Sequence, residues 1–432
     1  MSASGECCSG VTHLQALEAE WNSLQQRKRD PRPSRREADS PWKEAVDSFL
    51  QHCDVAWEEL VTASDAPCKA QIQLLKGRAL DLLPEYCEEA EMALTRAVKL
   101  DPDMHDGWVA LGHVLWKKGD LSGSQNCFRQ ALEKQEDSVE ANRELSRVLR
   151  HSIAIQAKSP KDVDSMVEES MRLAKKALVL DFEDGRSWSA VANCFLSQFM
   201  HVSMKVADLH RSLDAFRSAV QLPPSSEDPD VHFNCGTVHL YLQQFQDSYE
   251  CFRKALTLDP SFEEADDALS RLRNIRTVME SARHTREIRP KLRSKLEKAM
   301  GSSIESHAML QELEWGSHSP SENQGCALVA ALLHSVSPKR AIPTSFLAAD
   351  QNGTRFLLSV YGVNDSALFP SHIVTILNPI VVERSLDFHE LPTQSIPVVL
   401  VMDPIHSLLV SGLPLPAEAF SVPTCQLRAF DR

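Results

Sequence analysis

Three arginines, Arg143, Arg147 and Arg150, recur at i, i+4 and i+7. That spacing sets them on one face of a helix. Such a row offers charge-assisted, bidentate hydrogen bonds to carboxylates. Two acidic side chains, Asp230 and Glu264, stand at the second position of later helical segments, where they can take opposite charge. Together these groups suit a short peptide carrying both signs; the bland alternative is a solvated face of scattered charge. A different chemistry is suggested at 271–298, where ten Lys or Arg meet only three Glu, in a chain of formal net charge −14. Either this is a solvated helix end or it contacts RNA or another polyanion. The run QQRKRDPRPSRRE (25–37), with Arg27, Lys28, Arg29, Arg32, Arg35 and Arg36, reads as an exposed loop or as a nuclear-import signal.

Catalytic chemistry finds no footing. The chain has no phosphate-cradling glycine loop, no GxSxG elbow, no HExxH and no zinc-ligand spacing. The expectation is a non-enzyme with no cofactor and no metal. Eleven cysteines include no CxxC pair, and Cys7 and Cys8 are adjacent. Cys127, Cys194, Cys235 and Cys251 fall in apolar periodic segments, where cysteine serves as a small core hydrophobe. His232 and His239 sit at repeat positions and read as packed or groove-facing. This usage implies a reducing compartment. No apolar run reaches the roughly 18 residues of a membrane span, and MSASGECCSG lacks a signal-peptide core. A cytoplasmic and nuclear protein without membrane contact is expected.

The elements that position these groups come from a repeat. Residues 105–138 place Trp108, Leu111, Gly112, Leu115, Ser124, Phe128 and Ala131 at positions 4, 7, 8, 11, 20, 24 and 27 of a unit of about 34 residues, the tetratricopeptide period. Positions 4, 7, 8 and 11 share one face of a helix A, with a small residue at 8 admitting helix B. The pattern recurs at 70–102 (Gly77, Leu80, Ala90, Leu94, Ala97, Pro102) and 139–182 (Leu145, Ser146, Leu149, Ala174, Ala177). It also recurs at 185–224 (Trp188, Val191, Ala192, Phe195, Ser212, Phe216, Ala219, Pro224) and 229–262 (Gly236, Ser248, Phe252, Ala255, Pro260). Helical segments at 11–24 and 42–63 precede the repeats as an N-terminal cap. FEEADDALSRLRNIRTVMESA follows them as a polar-backed capping helix. In each helix A, positions 2, 5, 9 and 12 face the concave side. Arg143, Arg147 and Arg150 are positions 5, 9 and 12 of the third repeat, Asp230 is position 2 of the fifth, and Glu264 is position 2 of the cap.

After 325 the hydrophobic period changes from 3.6 to 2. CALVAALLHSV, TSFLAAD, TRFLLSVYGV, HIVTILNPIVVER and IPVVLVMDPI are strand runs bounded by turn residues such as those at 351–353. A short helical stretch is expected near NDSALFPS, between the third and fourth strands, an order that suits an OB-fold. Few aromatic or basic residues interrupt these strands, which disfavours stacking of a single-stranded nucleic acid. The predicted class is α+β multidomain, an all-α solenoid followed by a small all-β barrel. The predicted domains are an N-terminal helical cap with a basic loop (1–68), a solenoid of about five repeats plus cap (69–285), a basic segment and linker (286–324), and the β domain (325–432).

At GWVALGHVLWKKGDLSGSQNCFRQAL (107–132), LSRVLR (145–150) and DGRSWSAVANCFLSQFM (184–200) the chain resembles the tetratricopeptide repeat protein 5 (Strap) family, over about 70–432. The resemblance implies a repeat array with a C-terminal OB-fold and one of two roles. One is a ribosome-associated adaptor that recognises the N-terminal peptide of nascent tubulin and triggers tubulin mRNA decay. Its partners would be the ribosome (rRNA and exit-tunnel proteins) and an mRNA-decay adaptor. The other is a stress-responsive nuclear coactivator scaffold in the p53 and DNA-damage response, with nuclear coactivators as partners. The family's peptide-recognising arginine falls on Arg150 and its groove carboxylates on Asp230 and Glu264. Since the tubulin peptide begins Met-Arg-Glu, its Glu is expected to meet Arg150, and its Arg and amino terminus the carboxylates. The family's ribosome-contacting segment resembles REIRPKLRSKLEKAMG, which carries the role to Arg289, Lys291, Arg293 and Lys295. Arg143 and Arg147 carry no such match.

Overall fold

A computed structural model describes residues 14–24, 41–60, 66–82, 85–284, 288–300, 306–314, 323–336, 343–364, 366–386 and 395–420. The chain divides into two compact units, Met1–Glu183 and Asp184–Arg432. The division falls inside the repeats rather than at 285 or 325.

The first unit contains helices α1 (14–24), α2 (Pro41–Leu60), α3 (Ala66–Asp81), α4 (Glu88–Leu100), α5 (His105–Lys118), α6 (Leu121–Lys134), α7 (Val139–Gln156) and α8 (Pro160–Leu180). α3/α4, α5/α6 and α7/α8 pack as successive hairpins. Leu17, Trp21, Phe49 and Cys53 from α1 and α2 share a core with Ile72, Leu75 and Ala79 of α3. The basic run at 25–37 lies outside the described residues.

The hairpin turn follows from local chemistry. Gly119 ends α5 in the left-handed region (φ +84), which a residue without Cβ adopts at no steric cost. Asp120 then caps α6 by accepting from the Gly123 N–H at 2.9 Å. The position-8 residue is small because the B helix lies against it: a Cβ at Gly112 would stand 2.7 Å from the Phe128 ring. The position-20 serine has a second duty. Its hydroxyl donates to the position-8 carbonyl, at 2.8 Å in Ser124→Gly112, Ser212→Ala192 and Ser248→Gly236 and at 3.1 Å in Ser170→Ser146. Each bond ties B to A where no larger side chain fits, and is worth about 1 kcal/mol.

The second unit begins with α9 (Gly185–Gln198), α10 (Val206–Ala219), α11 (Pro229–Tyr241), α12 (Phe245–Leu258), α13 (Glu263–His284) and α14 (Pro290–Met300). The insertion between α9 and α10 is taken up by a π-helical turn, Phe199–Ser203, which Met204 closes at φ +49. There follow β1 (Ser306–His307), β2 (Cys326–Ser335), β3 (Thr344–Ala349), β4 (Arg355–Val360), β5 (Ile373–Leu377), β6 (Ile380–Ser385), β7 (Ser395–Val401), the helical turn α15 (Pro404–Ser407), β8 (Leu408–Val410) and β9 (Leu413–Pro414). β2, β3 and β4 form an antiparallel meander, and β7 joins β4 in parallel. β5 and β6 are one sequence run broken at Asn378 (φ +50) and Pro379, which has no N–H to donate. The half before the break pairs with β2 and the half after it with β7, which closes the ring of an OB-type barrel.

Both walls of this barrel are covered, so its strands read as nearly unbroken apolar runs; all of β3 is buried. Leu328, Phe346, Phe356, Leu358 and Val399 fill the interior. Leu347, Leu357, Val398 and Leu400 point outward into a core shared with Phe233, Phe252, Leu269, Leu272 and Met279 of α11–α13. Polar ties reinforce the junction. Arg276 donates to the Leu386 carbonyl at 3.0 Å, Ser359 to Gln243 Oε1 at 2.8 Å, and the buried Tyr361 hydroxyl to the Tyr241 carbonyl. The expected polar back of the capping helix is therefore corrected: α13 faces the barrel as well as α12. This shared core is why the fifth hairpin groups with the β domain.

Two further expectations are corrected. The stretch 301–323 does not read as a linker where it is described. Ser306 and His307 pair in parallel with β2, and Leu310 and Leu313 enter the barrel interior. Near NDSALFPS the described residues make no helix but successive turns, with Ala367 N–H donating to Asn364 O at 2.9 Å and His372 N–H to Phe369 O at 3.1 Å. Pro370 removes a donor, and Leu368 turns inward as part of the interior. Among the described residues, no helix is long and apolar enough to cross a membrane.

Candidate peptide-binding face

α7 is an 18-residue helix capped by Ser138, whose hydroxyl accepts from the Ala141 N–H at 3.2 Å. Its arginines do share one face, but they are not equivalent. Arg147 Nη2 lies 2.7 Å from Glu144 Oε2 and Arg143 Nε 3.2 Å from Glu144 Oε1. Glu144 is buried, and burial alone would raise its pKa. Arg147, His113 and Arg143 outweigh that and hold it at about 2. Two of the three arginines thus arrive with an internal counter-ion. Arg150 is only 3% exposed, and its Nη1 donates to Ser146 Oγ at 3.0 Å. It sits deep on the helix rather than on an open surface.

Around these groups stand residues that the same positional rule reaches but that a search for repeated charge does not. Positions 9 and 12 of the second repeat are His113 and Trp116, on α5. The Arg147 guanidinium lies 4.7 Å from the Trp116 ring centroid, a cation–π contact. Trp116 also meets His151 edge-to-face at 4.7 Å. His113 Nε2 lies 3.2 Å from Glu140 Oε1, a bond that lowers the Glu140 pKa. One donor here is spare: Arg147 Nε is buried and has no hydrogen-bond partner among the described residues. A buried guanidinium N–H without an acceptor is costly unless a ligand supplies one. Arg147, Trp116 and His151 therefore form a cationic, aromatic-backed face suited to an acidic or amide-bearing peptide.

The carboxylates belong to the other unit. Asp230 is half-buried in the first turn of α11, where Asp228 caps the helix by accepting from the Asp230 N–H at 3.0 Å. Glu264 is half-buried in the first turn of α13. Both gain from the positive end of a helix dipole. The basic segment resolves into α14. Leu292 and Leu296 bury one side of it against Val329, Ala331 and Ile373, while Lys291, Arg293 and Lys295, and Arg289 just before the helix, are exposed. Arg293 Nε makes only a surface pair with Glu297 Oε1, at 3.5 Å.

Comparison with known proteins agrees with these elements. A model for the tetratricopeptide repeat protein 5 OB fold domain matches residues 306–421, and tetratricopeptide-repeat models match 105–137 and 229–262. Tetratricopeptide repeat protein 5 of Mus musculus is 31% identical over 322 residues, covering 70% of this chain and 71% of that protein. The chain belongs to the tetratricopeptide repeat protein 5 family. The Homo sapiens protein of the same name is 29% identical over 313 residues, 69% of this chain and 70% of that one. Among solved structures, a thermophilic tetratricopeptide-repeat protein of Thermus thermophilus aligns with TM-score 0.40 and 14% identity, over 46% of this chain and 97% of its own. As a tetratricopeptide repeat protein 5 family member, the chain is a non-catalytic, protein-binding adaptor. The family's OB-fold model begins at Ser306, where β1 joins β2.

Proposed function

We propose that this adaptor works at the ribosome, in the cytoplasm, where it reads the N-terminal peptide of nascent tubulin and couples that event to decay of tubulin mRNA. The observation that carries the peptide-reading part is the α7 arginine face, with its spare Arg147 Nε donor beside Trp116. The glutamate of a Met-Arg-Glu terminus is the complementary group. The specific choice of tubulin rests on the family resemblance.

The test is a fluorescent peptide of the first residues of tubulin, titrated with the wild-type chain and with Arg150→Ala. Removing the charge-assisted hydrogen bonds of Arg150 should weaken binding about 10–100-fold, with helical circular dichroism preserved. Unchanged affinity in a folded variant sinks the role of this face. No binding by the wild type moves the reading to the nuclear coactivator scaffold.

The ribosome part is supported by the exposed basic residues of α14, whose leucines are already committed to the barrel. Reversing Lys291, Arg293 and Lys295 to Glu is expected to abolish co-sedimentation with ribosomes at physiological salt, since attraction to phosphate turns into repulsion. Peptide affinity should stay as in wild type. Co-sedimentation that survives the reversal removes α14 from the proposal.

A further inference from the structure

The fifth hairpin holds a cluster with no part in peptide reading. α11 carries Cys235 and His239 at i, i+4, and α12 carries Asp247 and Cys251 at i, i+4. Residues four apart share a helix face, so each helix of the packed pair presents two donor side chains. Gly236 makes the approach possible: a Cβ there would stand 3.0 Å from Cys251 Cβ. One donor atom from each of Cys235, His239 and Cys251 lies within 4.8 Å of the other two. Sulfurs bound to one tetrahedral zinc at about 2.3 Å stand about 3.8 Å apart, so the site needs to close by only about 1 Å. Gln244 Oε1 lies 2.7 Å from His239 Nδ1, an outer hydrogen bond of the kind that holds a ligating imidazole in place. Asp247 Oδ2 is 3.8 Å from that same nitrogen, on the outer edge of the ring. Cys235 is 3% exposed and His239 is buried, while Cys251 is half-buried.

We propose that Cys235, His239 and Cys251 bind one zinc-class metal ion, with a water as the fourth ligand. Two thiolates and an imidazole are the donors such an ion prefers, and they are too soft and too few in oxygen for calcium or magnesium. Each thiol gives up its proton to solvent on binding. The ion would brace α11 against α12, stiffening the hairpin whose first turn carries Asp230.

The experiment uses the full chain, reduced and stripped with chelator, titrated anaerobically with Co²⁺ and then displaced with Zn²⁺. The expected result is one equivalent of Co²⁺ giving thiolate charge-transfer and tetrahedral d–d bands, bleached by Zn²⁺. Both bands should be lost in Cys235→Ser and in Cys251→Ser. Bands that persist in both variants, or no saturable uptake by wild type, overturn the site, and so does a Cys235–Cys251 disulfide whose reduced form takes no metal. Where a variant fails to fold, alkylation of the wild-type chain reads the same point. Zinc should slow modification of Cys235 and Cys251 about tenfold or more, and equal rates with and without zinc overturn the proposal.

Discussion

Phe128→Ala is expected to destabilise the first unit by about 4 kcal/mol, the range for removing a fully buried aromatic ring. Phe128 is 0% exposed and is the side chain that the small residue at position 8 makes room for, with its ring filling the space over Gly112. The cavity would open between A and B helices, and those helices are also held by Ser124 on the Gly112 carbonyl. That hydrogen bond would keep the backbone from collapsing into the gap. Gly112→Leu should be destabilising too, by about 1–3 kcal/mol, because it overfills the same space. The double variant should cost clearly less than the sum, since the added leucine occupies the vacated volume. Urea unfolding monitored by circular dichroism checks all three, and strict additivity would show that the two positions do not share one space.

Glu144→Gln is expected to cost about 3 kcal/mol, the lower end for breaking a buried ion pair by removing one partner. The substituted amide would still accept from Arg143, but Arg147 would lose the carboxylate that lies 2.7 Å from its Nη2. The pH dependence gives a second readout. Glu144 titrates near 4.5 in the unfolded chain and at about 2 in the folded one. Its folded pKa is depressed, so its contribution is complete above pH 4.5 and is lost as pH falls toward 2. A shift of this size corresponds to about 3 kcal/mol. The wild type should therefore lose stability across that window more steeply than Glu144→Gln. Parallel acid-unfolding curves would mean that the carboxylate is not held by the arginines. The folded fraction of the variant should bind acidic peptides at least as tightly as wild type, because no carboxylate at position 144 competes for Arg147.

The hairpins are legible in the sequence because their causes are local. Gly119 and Asp120 form a turn wherever they occur between two amphipathic stretches, and the small residue at position 8 with Phe at 24 is a sterically matched pair. The strand runs are legible for the same reason. What the runs do not reveal is which side each strand buries, because β3 is apolar on both faces. The covering of the barrel by α13 and α14 depends on residues about a hundred positions apart, such as Arg276 and Leu386. At the candidate site, periodicity is enough to align Arg143, Arg147 and Arg150. It does not show that Glu144, the next residue after Arg143, folds under them, nor that Arg150 is buried. His113 and Trp116 obey the same positional rule one repeat earlier, but no repeated charge marks them. Cys235 and Cys251 look like small core residues, since their spacing along the chain matches no linear metal motif. Only the crossing of α11 and α12 brings them together.

The core shared by the fifth hairpin and the barrel limits how this β domain can have travelled in evolution. A barrel whose outer wall exposes Leu347, Leu357, Val398 and Leu400 when separated from α12 and α13 cannot be spliced onto an unrelated protein by a tether. Its lineage is bound to that of the helices that cover it, and changes on either side must be tolerated by the other.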